Sequence, residues 1–271
     1  MNFSSVINEE ILRVRPLLGG DIGQSFHVTT IRSEYFVKYY RTPGMAGAEA
    51  AGLAAMSQST TVSLPELVDS DDHFLVLRFI NSAARRHDFQ SVLGRQLAAM
   101  HKKTESEGFG FETDNFIGRT RQKNSFKSDW SSFLTENRLG YQIELAGDKM
   151  LAEAWNRLRS RLPELLAGTE EPPCLIHGDL WAGNVISGSA GEPVLIDPAA
   201  YYGHREMELG MTMLFGGFNE DFYASYDEEY PLLPGWRGRM NLYILYHVLN
   251  HYNMFGGGYR SQALSLMRGY C

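Results

Sequence analysis

Apolar positions in the first eighty residues fall in short runs broken by glycine and polar clusters, and beyond about Asn81 they recur at a helical period. Near the start, Val6, Ile7, Ile11 and Leu12 form an approximate apolar stripe, and Ser4 or Ser5 can cap it, which predicts a short helix through Ile11. Strand signals then take over at residues 14–18, 25–31 and 35–40, separated by Gly19-Gly20-Asp21-Ile22-Gly23 and by Arg32-Ser33-Glu34, which reads as an antiparallel meander. An Ala-rich run over 45–56 predicts a helix, and after Pro65 two further strands are expected at 66–68 and 73–80.

Over 88–104, Phe89, Val92, Leu93, Leu97, Met100 and His101 share one helical face. Further helices are expected at 130–145, 149–166, 207–218, 221–230, 237–254 and 259–268. The chain therefore divides into a small β lobe, residues 1–80, and a larger and mainly helical lobe, residues 81–271. This is an α+β, two-lobed architecture. No internal repeats or low-complexity tracts appear.

Composition narrows the function. A length of 271 residues with 44% hydrophobic content supports a core without external staples. A net charge of -7 and a pI near 5.6 argue against a nucleic-acid partner. Cys174 and Cys271 are the two cysteines, so no disulfide framework is expected and a reducing cytoplasm fits best. The first residues lack a basic region followed by an apolar stretch, and no run approaches the roughly 20 apolar residues of a membrane span. The expectation is a soluble, unexported protein.

The chemistry concentrates in Leu175-Ile176-His177-Gly178-Asp179-Leu180-Trp181-Ala182-Gly183-Asn184 and the later Ile196-Asp197-Pro198. Phosphoryl transfer needs a carboxylate for the proton of the attacking hydroxyl, an oxygen ligand for magnesium, and a second carboxylate for magnesium bridging the nucleotide phosphates. Asp179, Asn184 and Asp197 supply these in order, with the base and the asparagine five positions apart as in a protein-kinase catalytic loop. Residues 185–196 read as two short strands around a Gly/Ser/Pro turn, which would return Asp197 to the side of Asn184.

The β lobe offers the matching nucleotide groups. Lys38 lies on the third strand, and Glu49, eleven residues on, lies in the next helix, the placement in which a kinase fold fixes its lysine against nucleotide phosphates. Gly19 and Gly20 occupy the turn where a phosphate-covering loop would sit, although a hairpin turn uses glycine for conformational reasons alone. Leu77 and Phe79, at the end of the last small-lobe strand, mark the hinge against which adenine would lie.

Taken with Glu49-Ala50-Ala51-Gly52-Leu53, Asp114-Asn115-Phe116-Ile117-Gly118, Tyr201-Tyr202-Gly203-His204-Arg205-Glu206, Leu214-Phe215-Gly216-Gly217-Phe218 and Leu245-Tyr246-His247-Val248-Leu249-Asn250-His251, these segments resemble the fructosamine kinase family, also called ketosamine-3-kinases, over nearly the whole chain. The resemblance implies a protein-kinase-like fold related to that of aminoglycoside phosphotransferases. It also implies ATP- and magnesium-dependent phosphorylation of the 3-hydroxyl of fructosamine or ribulosamine adducts, whose later collapse releases the amine. Ketosamines, free or on glycated proteins, are then the partners, with no membrane involved and a monomeric or homodimeric chain.

By position, Asp179 becomes the base, Asn184 and Asp197 the metal ligands, and Lys38 with Glu49 the phosphate-positioning pair. Trp181 offers a flat face to a sugar ring, with packing beneath the loop as the other reading. Tyr201, His204 and Arg205, with Tyr202, either line the acceptor cleft or form a structural plug. A small-molecule kinase acting on an aminoglycoside, choline or a sugar is the alternative activity, and a kinase-like binding module without activity is the third reading.

Departures from the family pattern are Glu208, where Asp is common and braces the catalytic loop, Arg78 at an often acidic hinge position, and Asp21 where some members carry a cysteine. His177 reads as a loop brace and His101 as a satisfied core histidine. His247 and His251 have metal-ligand spacing without a third ligand in view. Phe215 to Phe218 read as core.

Overall fold

Val28, Val37 and Val76 are fully buried on one face of a five-stranded antiparallel sheet, where they hold Phe3, Val6 and Ile7 against it. The computed structural model describes residues 3–17, 23–104 and 106–270. The sheet comprises β1 (Ile11–Leu17), β2 (Gln24–Thr30), β3 (Glu34–Tyr39), β4 (Leu67–Ser70) and β5 (Phe74–Arg78), in the order β1-β2-β3-β5-β4. β1 is an edge strand. Leu12 and Val14 on it are exposed, and Pro16, which has no N–H to give, is tolerated at such an edge.

The helix expected through Ile11 does not form. A single 3-10 turn spans Phe3–Ser5, and Ile11 opens β1 opposite Thr30. Pairing with β2 satisfies the backbone there, and Phe3, Val6 and Ile7 reach the sheet without a helical repeat.

Helix α1 (Met45–Ser57) packs Met45, Ala46, Ala50 and Leu53 against Tyr40, Leu75 and Leu77 behind the sheet. A Cβ on Gly52 would meet Pro198 and Ala200 at 3.3 Å, so this glycine lets α1 lie against the chain just past Asp197.

The larger lobe holds α2 (Phe89–Lys103), α3 (Trp130–Phe133), α4 (Gly140–Ala146), α5 (Lys149–Leu165), α6 (Arg205–Leu214), α7 (Glu220–Glu229), α8 (Trp236–Phe255) and α9 (Tyr259–Arg268) around one extended core. The single helix expected over 130–145 is three pieces, because a π-helix over Leu134–Leu139 joins α3 to α4. It closes with the Gly140 N–H on the Thr135 carbonyl, and a Cβ on Gly140 would stand 2.3 Å from that oxygen. Helix α6 ends four residues before its expected limit, where Gly216 and Gly217 adopt φ of 72° and 92°.

Three short two-stranded ladders are embedded among these helices. β6 (Asn115–Ile117) pairs with β7 (Thr120–Gln122), β8 (Cys174–Ile176) with β11 (Tyr201–Gly203), and β9 (Val185–Ser187) with β10 (Pro193–Leu195). The last is the hairpin expected between Asn184 and Asp197.

Candidate active site

Buried strand β8 leads into the loop from His177 to Asn184, and the first turn of that loop depends on glycine. Gly178 has φ of 80°, and a Cβ there would stand 2.2 Å from the Ala199 carbonyl oxygen. The imidazole of His177 braces the loop. Its Nδ1 accepts the Asp179 N–H at 3.3 Å, which leaves Nε2 to donate to the Ile196 carbonyl at 2.8 Å, and burial holds its pKa below the usual histidine value. Glu208, fully buried on α6, accepts the N–H groups of both His177 and Gly178.

The β9–β10 hairpin then delivers Asp197. The Ile196 N–H bonds the Asn184 carbonyl at 3.1 Å, which sets Asp197 beside that loop. Asp197 has φ of 57°, one of two non-glycine residues in the left-handed region among the described residues, and such strain is held by surrounding structure at functional sites. Asn184 Nδ2 donates to the Asp179 carbonyl at 2.8 Å and lies 3.4 Å from its carboxylate. The amide oxygen of Asn184 is thereby left as the atom available to a cation.

From the β lobe, Lys38 reaches the same point. Its Nζ lies 3.1 Å from Glu49 Oε2 and 2.9 Å from Asp197 Oδ2. Burial opposes the lysine charge, but the two carboxylates outweigh it and hold its pKa well above the ordinary value. Tyr40, two residues along the same strand and buried, donates its hydroxyl to Glu49. Asp179 is pushed up to about 7 by burial first, then by the charges of Asp197 and Glu208.

These groups line a cleft of about 400 Å³ between the lobes. Trp181 is 41% exposed and meets Phe215 edge-on at 6.3 Å, and Phe215 in turn meets His251 at 5.2 Å. Phe215 is thus cleft wall and not core as expected, because the glycine pair after it stops α6 before its ring turns inward. His251, Phe255 and Tyr259 continue the aromatic wall. His251 Nδ1 is 2.7 Å from the His247 carbonyl, and His247 is buried behind it, its pKa lowered to about 3 chiefly by burial.

Not every expected site residue lies here. Tyr201, His204 and Arg205 are buried away from the cleft: the guanidinium of Arg138 lies 3.8 Å from the centre of the Tyr201 ring, His204 bonds the Thr169 carbonyl and caps α6, and Arg205 grips Glu171. Of the two readings of that segment, the plug fits these contacts. Leu77 packs with α1, and Phe79 stacks on His27 at 3.8 Å, so neither side chain lines the 400 Å³ cleft. Gly19 and Gly20 lie outside the described residues. His101 accepts or gives a bond to Tyr226 at 2.7 Å within the core.

Tyr40 and the Phe215–His251–Tyr259 wall were not legible as site residues. The signals present were spacing, since Tyr40 two positions from Lys38 in a strand shares its face and His251 lies one turn from His247, and the place of Phe215 and His251 in segments that carry the family resemblance.

The profile described as Fructosamine kinase matches residues 4–271. The chain is 44% identical over 273 residues to a protein of Oryza sativa subsp. japonica named Protein-ribulosamine 3-kinase, chloroplastic, with 96% of this chain and 79% of that one covered. A crystal structure from Thermobifida fusca YX-ER1, provisionally named a fructosamine-3-kinase, matches with a TM-score of 0.89 at 32% identity, over 98% of this chain and 96% of that one. A spectinomycin phosphotransferase crystallised with ADP and spectinomycin shares the fold, with a TM-score of 0.59 at 13% identity over 99% and 91%.

Proposed function

The chain belongs to the fructosamine kinase family, and from that premise we propose that it transfers the terminal phosphate of ATP to the 3-hydroxyl of ketosamines, leading to release of the amine. The observation that carries the reading is the meeting of Lys38, from the β lobe, with Asp197, from the helical lobe, at the inner end of a cleft whose outer wall is aromatic. A charged inner end suits phosphates, and an aromatic outer wall suits the apolar faces of a sugar.

Asp179 takes the proton of the acceptor hydroxyl as that oxygen bonds to the terminal phosphorus and the bridge to ADP breaks. With its pKa near 7 the carboxylate is basic enough to do so at neutral pH. Asn184 pins the Asp179 backbone and aims its carboxylate. Lys38 holds the nucleotide phosphates, and Glu49, itself braced by Tyr40, keeps the lysine extended.

The donor set fits magnesium: the Asn184 amide oxygen and the Asp197 carboxylate are hard oxygen ligands, two protein groups of the kind that magnesium takes alongside phosphate oxygens. When bound, the cation neutralises charge on those phosphates. Trp181 forms the sugar-facing wall. Among the described residues no helix is long and apolar enough to cross a membrane. We place the enzyme in the cytoplasm, where a buried free Cys174 thiol is at home.

The test is magnesium-dependent ATP consumption with a ribulosamine and a fructosamine side by side, following amine release. Turnover of either supports the reading and the ratio indicates the sugar. Inactivity on both, with ATP still bound, sinks it in favour of another small-molecule acceptor.

A further inference from the structure

The β6–β7 hairpin presents a cation to the cleft that no described residue neutralises. Ile117 pairs with Thr120, so Gly118 and Arg119 form a two-residue loop. Gly118 has φ of 62°, which gives the loop a turn whose twist matches the strands. Both loop residues line the cleft, and Arg119 is exposed.

The hairpin carrying this arginine is clamped at its base. Asn115 donates to the Ala200 carbonyl at 2.8 Å, Gln122 donates to Asn115 Oδ1 at 2.8 Å and to the Ala199 carbonyl at 3.1 Å, and the Tyr246 hydroxyl donates to Gln122 Oε1 at 2.6 Å. Asn115 and Gln122 are buried. Anchored on Ala199 and Ala200, two and three residues past Asp197, the hairpin carries Arg119 at a fixed place relative to the loop that holds Asp179.

The charges nearby are otherwise spent. Lys38, the other lysine or arginine lining the cleft, is shared between Glu49 and Asp197. Outside the cleft, Arg121 pairs with Asp114, and Arg260 with Asp148. Arg119 has no ion-pair or hydrogen-bond partner among the described residues. A guanidinium is a planar fork suited to an oxyanion. Asp179 stands at the inner, half-buried end and must meet the sugar hydroxyl, so the exposed mouth beside Arg119 receives the amine-bearing part of the acceptor.

We propose that Arg119 is a specificity-determining residue that recognises a carboxylate on the amine part of the acceptor, either the α-carboxylate of a glycated amino acid or an acidic side chain beside a glycated lysine. The inference rests on the ketosamine reading above and narrows its substrate class.

The experiment compares kcat/KM for the ribulosamines of glycine and of glycinamide, alike in size and different in charge, and for peptides whose ribulosylated lysine is flanked by Glu or by Gln. Wild type should favour the charged member of at least one pair by roughly fivefold, the size expected of an exposed charge pair. R119Q should bring that ratio to about one, and R119K should keep part of it. A preference in the glycine pair assigns the α-carboxylate, and one in the peptide pair the acidic flank. Equal turnover within both pairs by wild type, or a ratio unmoved by R119Q, overturns the Arg119 assignment alone. No turnover of any adduct overturns the ketosamine reading beneath it.

Discussion

The carboxylate of Glu208 accepts the backbone N–H of Gly178 at 3.1 Å, from a fully buried position on α6. With its other oxygen on the His177 N–H, it satisfies both donors at the sharpest point of the loop from His177 to Asn184. A glutamate at this position therefore spans the gap that the family's usual aspartate would bridge with one methylene fewer.

Glu208→Gln keeps the shape but replaces one acceptor oxygen with an NH2 group facing a backbone N–H. Leaving that donor unsatisfied costs about 1–3 kcal/mol, which lowers Tm by roughly 3–10 °C in a chain of this size. It also removes one of the charges that raise Asp179. The acid limb of the pH–rate profile should move to lower pH, and thermal melting with a pH series checks both effects.

The profile of the unaltered protein follows from Asp179. In the free enzyme its pKa is raised to about 7, so the proposed base is mostly protonated below that pH. Then kcat/KM, which reports the free enzyme, should fall about tenfold per unit below pH 7. Magnesium nucleotide at Asp197 would offset one of the raising charges, so the limb of kcat should lie at lower pH. A kcat/KM that stays flat down to pH 5 would contradict the base assignment.

The same shift sets a cost on folding. The carboxyl of Asp179 ionises near 3.8 in the unfolded chain and near 7 in the folded one. Below about pH 4 both states are protonated and nothing is lost. As pH rises to 7 the unfolded state sheds its proton first, stability falls, and above 7 the penalty is constant, on the order of 2–4 kcal/mol after allowance for partial exposure. Asp179→Asn has no such penalty. It should melt higher than wild type at pH 8 by more than at pH 5, while activity falls roughly 10²–10⁴-fold. Equal melting shifts at both pH values would show that Asp179 is not desolvated.

Much of this site could be read from the sequence because its residues lie close together in the chain or at fixed spacing. Asp179 to Asn184 is one loop, and the β9–β10 hairpin between Asn184 and Asp197 is local, so strand and turn patterns suffice. Lys38 and Glu49 are joined by one strand-to-helix step. What failed depends on distant contacts or on short elements. β11 finds β8 across 25 positions, a pairing that no local pattern of strand and turn residues encodes. Tyr201, His204 and Arg205 look like a polar cluster for a substrate. Only the fold shows that Glu171, Thr169 and Arg138 already occupy them. Phe215 is apolar in an apolar stretch, and its exposure is decided by where Gly216 stops the helix.

Lys38 separates two carboxylates, and this makes stability and activity respond differently to its loss. Glu49 is 8% exposed and Asp197 considerably more open, so removing the ammonium strands mainly Glu49. Among the described residues, Lys38→Met leaves that buried carboxylate only the Tyr40 hydroxyl as a side-chain donor, a loss on the order of 3–5 kcal/mol for a broken buried pair. Lys38→Met with Glu49→Leu removes both charges together, and replacing a buried pair by apolar groups is commonly neutral. The double variant should therefore regain most of the lost melting temperature. It should regain none of the ATP consumption, since the phosphate-holding ammonium is still absent. Were the double variant to melt no higher than Lys38→Met, an unpaired Glu49 carboxylate would not be what destabilises the single variant.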